Sequence, residues 1–234
     1  YGWLVTAFMG QQLLASPSFF HVVAEKRNGF MAIINPKATA KTRQRYERIA
    51  PLYDTMEIFA ERRYTDWRSR LWSLVQGPKI LVGVGTGKNL PYYPTGVDIT
   101  AIDLTPGMLA RAKARAAELE ADVNLQLGDV QALDFPDASF DDVVATFVFC
   151  SVPDPVLGLE EIARVLKSGG RLLLLEHVRS TNLFLGALMD LLDPVMATLM
   201  GPHINRRTVQ NVENSRLQLE RVEDLGLGGV FKLI

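Results

Sequence analysis

A glycine-rich segment and an aspartate about twenty residues later suggest ligand chemistry most directly. Gly83, Gly85 and Gly87 follow a short β-rich run, and Asp103 ends the next such run. Glycines at a sharp turn let the backbone approach a ligand without Cβ atoms in the way. A carboxylate at the end of the next strand accepts hydrogen bonds from both hydroxyls of a ribose. The spacing therefore predicts an adenosine-containing cofactor.

This pattern fits two kinds of cofactor, a dinucleotide and S-adenosylmethionine, and a second acidic segment distinguishes between them. Asp129 and Val130 close the third predicted strand, after Gly128. There the Asp129 side chain can accept from an adenine amino group, and the adjacent backbone N–H can reach a ring nitrogen. Neither this segment nor the following run 134–141 is expected in a dinucleotide enzyme. S-adenosylmethionine is therefore the predicted cofactor.

The elements that must position these residues alternate between strand and helix. Predicted strands cover residues 79–84, 98–103, 123–127, 140–149 and 171–178, and predicted helices cover 41–50, 56–75, 106–119 and 155–166. The C-terminal part of the sequence predicts helices over 183–200 and 207–215, followed by strands over 218–225 and 230–234, one of them antiparallel. This alternation is typical of an α/β fold with a mostly parallel sheet and helices on both faces.

The ordered motifs resemble those of the class I S-adenosylmethionine-dependent methyltransferases over about residues 46–178. The resemblance implies a Rossmann-like, doubly wound sheet of seven strands, with an N-terminal helical arm ahead of it. It also implies methyl transfer to a bound nucleophile. The family roles fall on Gly83, Gly85 and Gly87 for the methionine part, Asp103 for the ribose, Asp129 with Val130 for the adenine, and Phe147 near the methyl group.

Two further segments are similar to a narrower group within that class. Tyr46 and the pair 53–54 precede the first strand, and residues 175–178 read Leu-Glu-His-Val. The group contains quinone-biosynthesis C-methyltransferases, bacterial phosphatidylethanolamine N-methyltransferases and membrane-associated thiol methyltransferases. The resemblance implies a small or lipid-like acceptor: a phospholipid amine first, then a quinone carbon, then a thiol.

Five side chains are candidates for the acceptor side of the site. His177 follows a strand at the sheet edge where α/β sites form, so it is the predicted general base, with Glu176 orienting it or steering an amine. Tyr46 and Tyr53 are predicted to close over the cofactor, and His203 to contact the acceptor. Packing is the alternative for each. The apolar helix within a substrate-side insertion at 183–216 is either a lid or part of the core.

One position departs from the family pattern. The residue two before Gly83 is normally acidic and helps organise the methionine end of the site, but here it is Leu81. The departure keeps a second hypothesis open: a non-catalytic binding or scaffold protein with this fold and an impaired cofactor site.

Composition limits the remaining classes of function. The formal net charge of the 234 residues is −1, which gives no reason to expect nucleic acid as a partner. One cysteine excludes an internal disulfide and suits a reducing compartment, and no ligand cluster at zinc spacing is visible. We therefore predict a cytoplasmic protein without a metal.

The N-terminal region is interpreted in three ways: as an interfacial helix in peripheral contact with a membrane, as a docking arm, or as a poorly ordered extension. Residues 1–24 carry no formal charge, and 1–40 are predicted to form an apolar arm before a methyltransferase domain at 41–234. Lysines and arginines follow between 37 and 70, either as a solvated helix face or as a patch facing anionic phospholipid.

Overall fold

The computed structural model describes residues 34–226 and 228–234, and the predicted arm at 1–33 lies outside them. The helices are α1 (Pro36–Ile49), α2 (Tyr53–Met56), α3 (Ile58–Ser73), α4 (Pro106–Glu118), α5 (Pro155–Val165), α6 (Leu183–Leu199) and α7 (Thr208–Glu213). The strands are β1 (Lys79–Gly83), β2 (Asp98–Asp103), β3 (Asn124–Leu127), β4 (Phe140–Thr146), β5 (Leu166–His177), β6 (Glu223–Asp224) and β7 (Phe231–Leu233).

The seven strands form one sheet in the order β3-β2-β1-β4-β5-β7-β6. The first five run parallel, and β7 is antiparallel to both β5 and β6. The first strand, β1, lies in the interior of the sheet. The chain adds β2 and β3 on one side of β1 and then returns to add β4 on the other side, so the strand order reverses between β1 and β4. In such sheets ligands bind at this switch point, beyond the carboxyl ends of the strands. The predicted doubly wound fold and its closing antiparallel strand are confirmed.

Alternating strand residues divide the core into two layers. Leu81, Val143 and Leu174 pack on one face with residues of α5 and α7, whereas Ile80 and Val144 pack on the other with α3 and α4. Because successive strand side chains point to opposite faces, a strand buried on both faces must be apolar throughout. This requirement explains the apolar residues 143–145 in the middle of β4.

Two predicted boundaries moved for local reasons. The predicted strand 140–149 ends at Thr146, because Phe147 has φ +56°, a conformation that leaves the extended region. The first helix begins at Pro36 rather than Lys41, because the Asn35 side chain accepts from the backbone N–H groups of residues 37 and 38 and caps it.

The glycine segment leads into turns and not into an α-helix. After β1 the chain makes turns and one short 3₁₀ helix over Leu90–Tyr92 before entering β2. Pro91 and Pro94 lack the amide hydrogens that a longer helix would need. The two predicted final strands are also shorter than expected, at two and three residues.

Helix α6 is apolar on both its faces. Met189 and Ala197 are buried, whereas Leu183, Phe184 and Leu191 are 82%, 89% and 75% exposed. Ordinary core packing therefore accounts for its inner face only. None of the helices in the described residues is both long enough and apolar enough to span a bilayer.

Candidate functional site

A cleft of about 1180 Å³, counting its open mouth, lies at the carboxyl ends of β1 to β4. Its walls include residues 83–86 after β1, 102–105 at β2, 128–130 after β3 and 143–149 of β4 and its loop. Helices α1 to α3 close one side of it. The parallel sheet thus brings the predicted cofactor residues together although they are far apart in the chain.

Asp103 forms one end of the cleft. Its carboxylate accepts the Thr105 backbone N–H at 2.8 Å, and burial raises its pKa to about 6 despite this bond and one from the Gly85 backbone. A buried carboxylate with spare acceptor capacity suits a partner that brings hydroxyl donors. This placement agrees with the role predicted for Asp103 toward a ribose.

Asp129 and Val130 line the same end, beyond β3. The Asp129 carboxylate accepts from the backbone N–H of Gln131 at 2.9 Å and from its side-chain amide at 3.1 Å. Gln131 is buried and also receives the Asp154 backbone N–H on its own oxygen. Sequence reasoning missed Gln131, which holds the Asp129 carboxylate in place beside the cleft.

The three glycines have different structural roles. Gly83 and Gly85 line the cleft, and a Cβ at Gly85 (φ +55°) would have no neighbour within 4 Å and would point into open space. Gly87 (φ +84°) is not among the lining residues. A Cβ there would lie 3.2 Å from Cα of Ala112 in α4. Gly87 therefore allows the loop to pack closely against α4.

Phe147 stands at the end of β4, as the sequence predicted, and its ring lines the cleft. Ring centroids of Tyr64, His177 and Phe231 lie 4.8 to 6.2 Å from that of Phe147. Its left-handed backbone is uncommon for a bulky residue. The aromatic neighbours and a backbone bond from Phe147 to Leu175 hold this conformation.

The other end of the cleft carries charges that sequence reasoning missed. Arg68 of α3 is only 4% exposed and donates to Oδ1 of Asn89 at 3.0 Å. Lys88 contacts the carboxylates of Glu61 at 2.8 Å and Glu57 at 3.2 Å. Arg68 precedes the buried Leu71 and Trp72 by three and four residues. Arg68 therefore lies on the same inward face of α3 as these two residues, and a charged residue on a buried helix face is the signal that could have revealed it from the sequence.

Tyr46 and Tyr53 both line the cleft, as predicted for residues that close over the cofactor. Their ring centroids lie 6.4 Å apart, and the Tyr46 hydroxyl is hydrogen-bonded to the Ser151 hydroxyl. Burial raises the pKa of both phenols above the ordinary value, so both are neutral donors at physiological pH.

Glu176 and His177 lie behind the cleft wall. Glu176 is fully buried, and its Oε1 accepts the backbone N–H groups of Val148 and Phe149 at 2.8 Å each. Burial raises the Glu176 pKa to about 8 and lowers the His177 pKa to about 4. Neither side chain is among the lining residues of the cleft. Catalysis by either residue stays a prediction.

The fold also places a thiol beside these two groups. Ligand atoms of Cys150, Glu176 and His177 lie within 4.8 Å of one another, a grouping that chain spacing did not predict. The Cys150 thiol donates to the Phe147 carbonyl at 3.2 Å, and burial raises its pKa. Cys150 is thus a buried thiol, and its raised pKa disfavours the nucleophilic thiolate form.

His203 is not among the residues that line the cleft. Its Nδ1 lies 2.8 Å from Oδ2 of Asp193 in α6, and its backbone N–H donates to the Cys150 carbonyl. Asp193 also accepts the Ile204 backbone N–H at 2.8 Å. These bonds tie the loop after α6 to the loop after β4. Contact between His203 and the acceptor stays a prediction.

Leu81 occupies the place where the family pattern has an acid. It is buried against Ile102 and Val143 and also contributes to the cleft wall. It pairs in register with Thr100 of β2 and Val143 of β4. The strand therefore pairs normally without the missing acid, and that part of the wall is apolar.

The cleft fits S-adenosylmethionine in its chemistry. Open space over Gly85 leaves room for a ligand against the backbone. The buried Asp103 carboxylate can accept ribose hydroxyls, and the opposite end offers both cationic and anionic groups to an amino-acid tail. Gly83, Gly85, Asp103, Asp129 and Val130 are the residues that would hold it.

Comparison with known proteins agrees with this geometry. Residues 80–174 match the family described as Methyltransferase domain. The chain is 36% identical over 162 residues to a phosphatidylethanolamine N-methyltransferase from Cereibacter sphaeroides, covering 68% of this chain and 79% of that protein.

Two other relatives are similar over a shorter span. A demethylmenaquinone methyltransferase from Renibacterium salmoninarum is 34% identical, over 58% of each chain. A thiol S-methyltransferase from Rattus norvegicus is 33% identical, over 59% of this chain and 60% of its own length. The chain thus spans about three-fifths of these two relatives.

Solved structures share the fold at lower identity. The [4+2]-cyclase SpnF superposes with a TM-score of 0.66 at 22% identity, covering 82% of this chain and 76% of its own. An S-adenosylmethionine-dependent methyltransferase from Thermotoga maritima, described as a possible histamine N-methyltransferase, has a TM-score of 0.60 at 21% identity. The match covers 81% of this chain and 96% of that protein. A cyclase among these neighbours illustrates that the fold alone does not define the reaction.

Proposed function

The chain belongs to the class I S-adenosylmethionine-dependent methyltransferases, and we propose that the acceptor it methylates is a lipid-like molecule taken from a membrane surface. A phospholipid amine is the favoured acceptor, followed by a quinone ring carbon and an apolar thiol. The names of the three relatives support this set. The 36% identity to the phosphatidylethanolamine N-methyltransferase, over 79% of that protein, supports placing the phospholipid amine first. The single observation that carries the membrane part is the exposed apolar face of α6.

The outward face of α6 suits the interfacial region of a bilayer. Phe184, Leu188, Leu191, Val195 and Leu199 recur at helical spacing along it, and all are exposed. An apolar patch on this scale is unusual on a monomeric surface exposed to water. A helix of this kind can lie in the membrane plane with its apolar side among the acyl chains.

The two acids of α6 do not oppose such contact. Asp190 forms an ion pair with Arg179 at 2.8 Å, and Asp193 is buried against His203 and the loop that follows the helix. Neither carboxylate therefore interrupts the apolar stripe.

A basic stripe on α1 lies next to the end of α6. Lys37, Lys41, Arg45 and Arg48 are spaced at four, four and three residues, so they share one helix face. Arg48 donates to the Thr198 carbonyl of α6 at 2.7 Å. Basic residues beside an apolar helix favour membranes that contain anionic lipid.

This surface adjoins the acceptor side of the cleft. A Cβ added at Gly201, just after α6, would lie 3.1 Å from Cζ of Tyr46, and Tyr46 lines the cleft. The cofactor supplies a methyl group activated by its sulfonium. The protein's own task is therefore to orient the acceptor, exclude water and accept a proton where the acceptor carries one.

An acceptor screen tests the proposed reaction. Purified protein is incubated with S-adenosylmethionine and vesicles holding phosphatidylethanolamine, a demethylated quinone or a long-chain thiol, and products are identified by mass spectrometry. We expect methylated phosphatidylethanolamine, and none with Asp103→Ala. Methylation of only a water-soluble amine would overturn the lipid proposal. Cofactor binding without any methylated product would favour the scaffold hypothesis instead.

Vesicle flotation tests the membrane contact. We expect the chain to float with vesicles containing anionic phosphatidylglycerol and to lose most binding in the pair Phe184→Ser and Leu191→Ser. Leu119→Ser is the matched control, because Leu119 is also exposed but lies at the end of α4. Equal flotation of the double variant would refute the assigned surface. Self-association of the wild type through α6, abolished by the same pair, would identify a second copy as the occupant.

A further inference from the structure

One buried arginine at the cleft has an N–H donor without an acceptor among the described residues. The guanidinium of Arg68 is 4% exposed, and its Nε is fully buried without a hydrogen-bond partner in the described part of the chain. Oε1 of Glu61 lies 3.4 Å from this nitrogen, outside hydrogen-bond geometry, and the other oxygen of Glu61 contacts Lys88 at 2.8 Å. Among the described residues, Arg68 donates a hydrogen bond only through Nη1, to Asn89.

Such an arrangement is costly unless another acceptor completes it. A buried cation with an unpaired N–H group is destabilising, and a guanidinium fork is well suited to oxyanions. Arg68 lines the cleft beside Asn89, and Asn89 in turn donates to the Thr146 hydroxyl at the end of β4. The missing acceptor is therefore expected to be an anionic oxygen that enters through the cleft.

A carboxylate of opposite charge lines the same end. Glu57 contributes to the cleft wall, whereas Asp54 and Glu61 are not among the lining residues. Asp54 is engaged by Arg115 at 2.8 Å and by the Thr86 hydroxyl at 2.7 Å. Lys88 is surrounded by carboxylates, so it is already neutralised. Arg68, with its unpaired N–H, and Glu57, which also contacts Lys88 at 3.2 Å, are the groups of opposite charge that this end offers to a ligand.

We propose that Arg68 binds the carboxylate of the methionine part of the cofactor and that Glu57 binds its ammonium group. The pair would then replace the acid that the family pattern places where this chain has Leu81. This inference rests on the S-adenosylmethionine site of the proposed function and adds the residues that recognise the tail. The ligand chemistry is that of a zwitterionic α-amino acid.

A comparison of two ligands isolates this contact. S-adenosylhomocysteine carries the amino-acid tail, whereas 5′-methylthioadenosine keeps the adenosine and the sulfur but lacks that tail. Calorimetric titration of both ligands into Arg68→Gln should show a loss of about 10- to 100-fold for S-adenosylhomocysteine, the range for hydrogen bonds to charged groups. The affinity for 5′-methylthioadenosine should stay within about twofold of the wild type.

Further variants separate recognition from folding. Arg63→Gln is the matched control, because Arg63 is exposed on the same helix, and both of its affinities should equal those of the wild type. Glu57→Gln should weaken only S-adenosylhomocysteine, by about tenfold. If Arg68→Gln does not fold, Arg68→Lys keeps the charge without the fork and should show a smaller loss for the same ligand.

Several results would overturn the inference. Unchanged affinity of Arg68→Gln for S-adenosylhomocysteine would remove Arg68 from the site. Equal losses for both ligands would mean that Arg68 shapes the cleft without recognising the tail. If the wild type binds neither ligand, both this inference and the cofactor site are overturned. If tail recognition is intact but no lipid acceptor is methylated, only the proposed acceptor is overturned.

Discussion

Acidification should weaken cofactor binding through one carboxylate, Asp103. Burial raises its pKa to about 6, well above that of an exposed aspartate. Ribose hydroxyls donate to the ionised form, so a protonated Asp103 must release its proton before it accepts both of them. Binding is therefore coupled to the loss of one proton at a pH below 6.

The size of the effect follows from that coupling. At pH 7.5 nearly all Asp103 carboxyls are ionised, whereas at pH 5 only about one in ten is. Affinity for S-adenosylhomocysteine should thus fall about tenfold between pH 7.5 and pH 5. Without ligand, Asp103 affects the stability of the folded chain, and this effect has the opposite dependence on pH. The raised pKa contributes stability to the folded chain that is present below the unfolded pKa near 4 and lost as the pH rises through 6.

Calorimetric titration with S-adenosylhomocysteine at several pH values from 5 to 8 measures the effect. Asp103→Asn is the matched control, because its side chain is similar in size but does not titrate. Its affinity should be lower at pH 7.5 and nearly constant with pH. A wild-type affinity that does not change from pH 5 to 7.5, or an equally steep dependence in Asp103→Asn, would refute the reasoning.

Four further substitutions test the packing around the site by thermal and denaturant unfolding. Glu176→Ala leaves two backbone N–H groups without an acceptor and should cost about 2–4 kcal/mol of unfolding free energy. The Gln side chain of Glu176→Gln can still accept both N–H groups. Because the pKa of Glu176 is raised to about 8, the wild type loses stability as the pH rises from 5 to 8, and the thermal midpoint of Glu176→Gln should rise relative to that of the wild type. No such relative rise would contradict the raised pKa of Glu176. Asp142→Ala removes the acceptor of the Gln76 and Gly77 backbone N–H groups and of Arg171, and should destabilise by about 2–4 kcal/mol, so a loss under 1 kcal/mol would contradict it. Gly87→Ala forces a left-handed alanine against Leu90 and should cost about 1–2 kcal/mol, with an unchanged midpoint as the contrary result.

Much of the fold could be read from the order of residues alone. The period-two apolar runs, the Pro-initiated helices and the glycine turn predicted β1 to β3, α4 and α5 to within about two residues. These signals are local, because backbone conformation and side-chain alternation depend on near neighbours. For the same reason, the cofactor residues at strand ends were predictable once a parallel sheet was inferred.

Boundaries that depend on distant contacts were not predictable. Apolar residues continue through Phe149, but β4 ends at Thr146 because the chain turns at Phe147 and Glu176 caps the loop from another strand. The same capping explains why Glu176 and His177, which follow one another at a promising strand end, lie behind the wall of the cleft.

The sequence by itself determined the fold class, the cofactor and the candidate residues for its adenosine end, because each is encoded in short motifs that recur in one order. Only the tertiary structure decided what stands at the other end of the cleft. Arg68, Glu57 and Lys88 come from helix α3, the turn before it and the loop after β1, and no local pattern records that they meet. Their ionic contacts form across the folded chain, where burial makes each unpaired charge costly and so determines which groups remain for a ligand.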